Sequence, residues 1–192
     1  MMQNSVAVIM AGGKSSRMQR DKALLPFGGE STLIEFQYRR LEKIFAKVYV
    51  AAKSNKFGFK VNLIEDRYAT SSPLVALISM FESLEVDEVF VLSVDAPFVS
   101  QEVIAKLYAS RSEEADIIVA ESNHGLEPLC AIYRRSFLEC AYGALEADNH
   151  RLQSLFDTLS VVRVKMEEEA FLNLNYPAEY EEAKLKWGEK RG

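Results

Sequence analysis

A doubly wound α/β fold with a mostly parallel sheet is the class this chain predicts, and three observations carry that expectation. Short, uninterrupted, β-branched apolar runs at residues 6–10, 48–52 and 89–92 suit strands covered on both faces, because a half-exposed strand would alternate apolar and polar residues. Helical patterns separate these runs, so successive strands are joined by crossovers and lie parallel. A carboxylate, Asp95, falls at the carboxyl end of its run, where open α/β sheets bind their ligands.

In chain order, residues 6–10 form the first strand, and Ala11, Gly12 and Gly13 stop it. Adjacent glycines turn without a Cβ penalty and let backbone N–H groups come close to a ligand. Lys14, Arg17, Arg20 and Lys22 follow, placed to meet a triphosphate. The same residues also suit an ordinary tight turn beside a solvated basic face. Two named sites are excluded by spacing. A P-loop ending at Gly13-Lys14-Ser15 would need its first glycine at Val8, and Gly-Gly-Lys-Ser-Ser-Arg is not a dinucleotide fingerprint.

A turn at 26–29 precedes a helix over 32–45, with Thr32 and Glu35 spaced as a capping box. A strand at 48–52, a polar loop at 53–59 and a short strand at 61–64 lead to Glu65-Asp66. Ser72 is the N-cap and Pro73 the first residue of a helix running to about 84. After the strand that ends near Asp95, Pro97 blocks continuation and Ser100 caps a helix at 101–109. The remaining pattern is a strand at 115–121, a polar loop at 122–128 and a strand at 129–133. Residues 136–159 are helical in two pieces broken near Asp148-Asn149, followed by a strand at 161–165 and a closing amphipathic helix at 178–187.

Chemistry concentrates at few positions. A strand-end carboxylate such as Asp95 suits holding Mg²⁺ against a triphosphate, and equally suits a turn. Asn173 and Asn175 offer side-chain carbonyls to a metal or phosphate shell, or cap the last helix. His124 and His150 lie among polar residues and read as solvated loop histidines. Neither stands beside a cysteine or serine in a hydrolase pattern, so no nucleophile is assigned. Cys130 and Cys140 lack CxxC spacing and read as reduced structural thiols.

The whole chain bounds the answer further. Its 192 residues suit one well-packed domain. A net charge of −5 argues against nucleic-acid or anionic-membrane partners, so the basic cluster after Gly13 is local. Without a signal-like segment or a membrane-length apolar run, the protein is expected in the cytoplasm, as a monomer.

Ala11-Gly12-Gly13-Lys14-Ser15-Ser16-Arg17-Met18, followed by Asp21-Lys22-Ala23-Leu24-Leu25, resembles the signature of sugar-nucleotide-type nucleotidyltransferases, and most nearly that of the molybdenum cofactor guanylyltransferases. Gln19 stands where that pattern has glycine. Ser72-Pro73-Leu74-Val75-Ala76 stands where it reads Gly-Pro-Leu-Ala-Gly against the guanine base, and Asn173-Leu174-Asn175-Tyr176-Pro177 resembles its late Asn-x-Asn-x-Pro segment. The resemblance implies a nucleotide-diphospho-sugar transferase fold and Mg²⁺-dependent transfer of GMP from GTP to molybdopterin. It also implies a Rossmann-like nucleotide-binding half over about 1–100 and an acceptor half over about 101–192, with His124 in reach of the second substrate, and it implies roles. Met10, Ala11, Gly12 and Gly13 would contact base and phosphates through the backbone, Arg17 and Lys22 would neutralise phosphate charge, Asp66 would face the nucleoside, and Asp95 would bind the metal. The alternatives carried forward are CTP or a sugar-phosphate acceptor, and a non-catalytic GTP-binding module.

Overall fold

The computed structural model describes residues 2–12, 21–172, 174 and 176–189. The strands β1 (Met2–Met10), β2 (Phe45–Ala52), β3 (Leu63–Glu65) and β4 (Glu88–Ser93) run parallel, with β1 between β2 and β4. Next to β4 lies β6 (Gly125–Arg134), antiparallel to it and to β5 (Ile117–Ser122), which in turn pairs in parallel with β7 (Val161–Lys165). Among the described residues these seven strands make one sheet in the order β3-β2-β1-β4-β6-β5-β7. The mostly parallel α/β expectation holds, with β6 the exception.

Helices cover both faces. Buried side chains of α1 (Leu33–Glu42), α3 (Gln101–Ala109) and α6 (Pro177–Glu189) share one cluster with Ala7, Ile9 and Phe90. Those of α2 (Pro73–Ser83), α4 (Phe137–Glu146) and the short α5 (Leu152–Leu155) share the other with Val6, Val8 and Val91. Residues 6–10 of β1 are buried on both sides, which is why that run needs no polar alternation. Phe45 and Phe90 stack at 5.3 Å between centroids on the first face.

Local signals placed the helix starts. Thr32 Oγ1 accepts from Glu35 N–H at 3.2 Å, Ser72 Oγ from Val75 N–H at 3.2 Å, and Ser100 Oγ from Val103 N–H at 3.4 Å. The helix expected over 32–45 stops at Glu42 because Phe45 is recruited into β2, where it pairs with Met2.

The polar loop expected at 122–128 is instead a tight hairpin. Gly125 turns it at a φ of +117°, and β6 is already running by then. Pro128 is accommodated where the β5 ladder breaks: Val119 pairs with Ala131 and Ala120 with Glu127, so residues 128–130 leave the β5 register. Tyr133 Oη donates to the Pro128 carbonyl at 2.8 Å and fixes that detour.

Candidate active site

The order β3-β2-β1-β4 places a switch point between β1 and β4, whose crossovers leave in opposite directions. Met10 and Ser93 are paired at that edge, and Val94 N–H continues the ladder to the Met10 carbonyl at 3.1 Å. Ala11 N–H reaches the Ala51 carbonyl at 2.9 Å on the other side. Thus Gly12 leaves the sheet beside the β4 terminus. Among the described residues, a Cβ at Gly12 would meet no atom within 4 Å.

Lys22 ion-pairs with Asp95 across 73 positions of sequence. Both are shielded, with side chains 19% and 15% exposed. Asp21 orients the lysine. It N-caps a 3-10 turn at Lys22–Leu24 through Ala23 N–H and pairs outward with Lys56, which leaves Lys22 facing the strand ends. Asp95 also accepts a hydrogen bond from Ser93 Oγ.

The loop carrying Asp95 is held from beneath by two residues of α1 that the sequence reading did not single out. Fully buried Gln37 donates to the Val94 carbonyl at 3.3 Å, and Arg40 donates to the Pro97 carbonyl and to Gln37 Oε1, both at 2.6 Å. Burial pushes the Arg40 guanidinium down to about 10, so it stays charged at neutral pH and the Pro97 carbonyl keeps a cationic donor. The available signal was a Gln and an Arg three apart on an otherwise apolar helix face.

Two cavities meet here. A recess of about 120 Å³ is lined by Met10, Gly12, Asp66 and Ser72. A cleft of about 420 Å³ is lined by Ser93, Asp95, Glu127, His150 and Arg151, and Pro73 and Leu129 wall both spaces. Burial raises the Asp66 carboxyl above its ordinary value, opposed by a hydrogen bond from Ser71 Oγ and the charge of Lys53. Its place in the recess suits contact with polar groups of a nucleoside.

Of the sequence-predicted residues, Met10, Ala11, Gly12, Lys22, Asp66 and Asp95 converge on this edge. Arg17 and Gly13 lie outside the described residues, as do Asn173 and Asn175. Leu174, between the two asparagines in sequence, donates its N–H to the Asp95 carbonyl at 3.2 Å. Asn55 Oδ1 accepts from Phe57 N–H at 3.2 Å within its own loop. His124 is a hairpin-tip residue, its side chain 76% exposed, with Nε2 3.0 Å from Glu168. His150, read as a solvated loop residue, instead lines the cleft. Cys130 is a free thiol at the buried side of that cleft, pushed upward in pKa by desolvation, and Cys140 is free and part-exposed.

Comparison with known proteins extends the picture. Residues 7–164 match the MobA-like NTP transferase domain. A molybdenum cofactor guanylyltransferase from Campylobacter jejuni subsp. doylei is 38% identical over 180 residues, covering 92% of this chain and 94% of that protein. One from Helicobacter pylori is 35% identical over 184 residues, covering 93% and 90%. The crystal structure of molybdopterin-guanine dinucleotide biosynthesis protein A from Archaeoglobus fulgidus superposes with a TM-score of 0.80 at 17% identity, covering 96% of this chain and 99% of that one; at that identity it shows a shared fold.

Proposed function

The chain belongs to the MobA-like NTP transferase family, and on that premise we propose that it transfers GMP from GTP to the phosphate of molybdopterin, forming a guanine dinucleotide and releasing pyrophosphate. The observation that carries the reading is the Lys22–Asp95 pair, set beside Gly12 at the switch point and opening on a cleft large enough for a second substrate. An acceptor phosphate is already an anionic nucleophile, so the site needs no general base; the task is to bring two polyanions together in line.

Each residue has a part in that task. The backbone at Met10, Ala11, Gly12 and Gly13 receives base and phosphates, and Asp66 takes up a nucleoside hydroxyl or amine in the recess. Lys22 and Arg17 neutralise the triphosphate as the bond from the α-phosphorus to the bridging oxygen breaks and charge passes to pyrophosphate. The acceptor enters along the cleft walled by Glu127, Leu129 and Arg151, with Asn173 and Asn175 completing the phosphate shell.

Among the described residues no three His, Cys, Asp or Glu side chains stand close enough to hold a metal by themselves. Mg²⁺ is commonly held by one or two carboxylates plus substrate phosphates, and the Asp95 carboxylate with the Ser93 hydroxyl is a hard oxygen donor set that suits it. Asp95 would hold it, with the Ser93 hydroxyl beside the carboxylate. When bound, the ion would screen phosphate charge and polarise the α-phosphoryl group.

One domain does this work. Residues of about 1–100 supply the nucleotide side and 101–192 the acceptor side, and the protein acts in the cytoplasm as a monomer on small-molecule substrates, with transient contact to a molybdoenzyme or delivery partner. No described helix is long and apolar enough to cross a membrane. Pyrophosphate release with molybdopterin and Mg²⁺, compared across GTP, CTP and ATP, tests the reading. Turnover with GTP alone supports it, turnover with CTP reassigns the base, and saturable GTP binding without turnover leaves a binding module.

A further inference from the structure

His150 engages both of its ring nitrogens. Nδ1 lies 2.9 Å from Ser72 Oγ, 78 positions away in sequence, and Nε2 lies 3.1 Å from Asp148 Oδ1. Ser72 caps α2, its oxygen accepting Val75 N–H, and the same hydroxyl meets Nδ1. The ring thus bridges the cap of α2 and Asp148 through its two nitrogens.

The loop that carries His150 is stiffened within itself. Asp148 holds a φ of 54°, a left-handed conformation that costs a non-glycine residue energy. Asn149 N–H donates to the Ala144 carbonyl at 2.8 Å, Asn149 Nδ2 donates to Ser154 Oγ at 2.8 Å, and Asn149 Oδ1 accepts Arg151 N–H at 3.2 Å. A loop fixed in this way moves as a piece, so a tie at one point places all of it. Ser72 lines the recess, His150 lines the cleft, and Pro73 lines both.

We propose that His150 is a positioning residue for the acceptor: fastened to the cap of α2, it sets the α4–α5 loop, and with it Arg151 and Gln153, at a fixed distance from the helix end that borders the nucleotide recess. The inference rests on the transferase reading above. The imidazole's contribution is placement.

The test is steady-state pyrophosphate release at saturating Mg²⁺ and GTP with molybdopterin varied, alongside the thermal midpoint of each variant. His150→Ala raises the KM for molybdopterin about tenfold, the scale of one lost hydrogen bond, with kcat changed less than about twofold. Ser72→Gly, which keeps most of the cap's stability, also raises that KM about tenfold, and the double variant is no worse than either single one. His150→Asn places an oxygen where Nδ1 was and restores most of the loss, whereas His150→Gln places one where Nε2 was and does not. An unchanged KM, additive effects, or equal rescue by Asn and Gln overturns the inference. If His150→Ala does not fold, Ser72→Gly and the Asn and Gln variants give the same discrimination. Wild-type protein that releases no pyrophosphate overturns the transferase reading and this inference with it; active wild-type protein with unaltered variants overturns this inference alone.

Discussion

Replacing Lys22 with methionine is expected to cost catalysis far more than it costs the fold. The ammonium lies against Asp95 with both side chains more than four-fifths covered, so its field acts through poorly hydrated surroundings and its position is fixed before substrate arrives. Removing one preorganised donor of this kind costs about 2.7–4 kcal/mol of transition-state stabilisation, or about 10²–10³ in rate. The resting protein loses less, because Asp95 retains the Ser93 hydroxyl and the pair is not sealed from water. About 1 kcal/mol of stability, or about 2–4 °C in Tm for a chain of this size, is the expected loss. Pyrophosphate release and thermal unfolding measured on the same preparations separate the two effects. A kcat/KM within about fivefold of wild type would refute the assignment of Lys22 to the reacting phosphates, and a collapse of Tm in step with activity would make the pair structural.

Four further outcomes follow from the same geometry. Asp95→Ala abolishes Mg²⁺-dependent transfer in a protein whose circular dichroism is unchanged; normal turnover would remove Asp95 from the mechanism. Gly28→Ala destabilises by about 2–3 kcal/mol, because the residue sits at a φ of +63° and a Cβ would come 2.5 Å from the Phe36 ring, which denaturant unfolding would detect. Asp66→Asn raises Tm at neutral pH, since burial lifts the folded-state pKa and makes the ionised carboxylate a cost to folding; the gain fades on acidification, as the wild-type carboxyl takes up its proton, and GTP binding measured by calorimetry weakens throughout. Iodoacetamide modifies Cys140 in the native protein and reaches Cys130 only after unfolding, as mass spectrometry of the intact chain would show.

What the residues revealed in advance depended on the range of the forces involved. Helix caps at Thr32, Ser72 and Ser100 were legible because a side chain bonds a backbone group three positions away. The two-sided burial of β1 was legible because an unbroken apolar run has no solvent face to offer. The direction of β6 was not, since a strand's own periodicity carries no record of which neighbour it will meet. Pro128 read as the end of a loop, yet it falls where β6 has left the β5 register and owes that ladder no donor. The pairing of Lys22 with Asp95 over 73 positions was foreshadowed only by two motifs read separately, whereas the roles given to both remain proposals. Nothing local set His150 apart from His124, because what distinguishes them is the approach of Ser72 from another helix. Gln37 and Arg40 were hidden for the same reason: their partners are carbonyls of a distant loop.

The reversed strand inside the sheet has a mechanical consequence. β6 is laced to β4 from Glu88 opposite Arg134 to Leu92 opposite Cys130, and to β5 on its far side. Any book-like swing of one half of the molecule against the other would have to tear that lacing. Capture and discharge of substrates therefore fall to side chains and short loops around a fixed frame. The protein should scatter X-rays with nearly the same radius of gyration whether empty or saturated, unlike enzymes that clamp their substrates between mobile lobes.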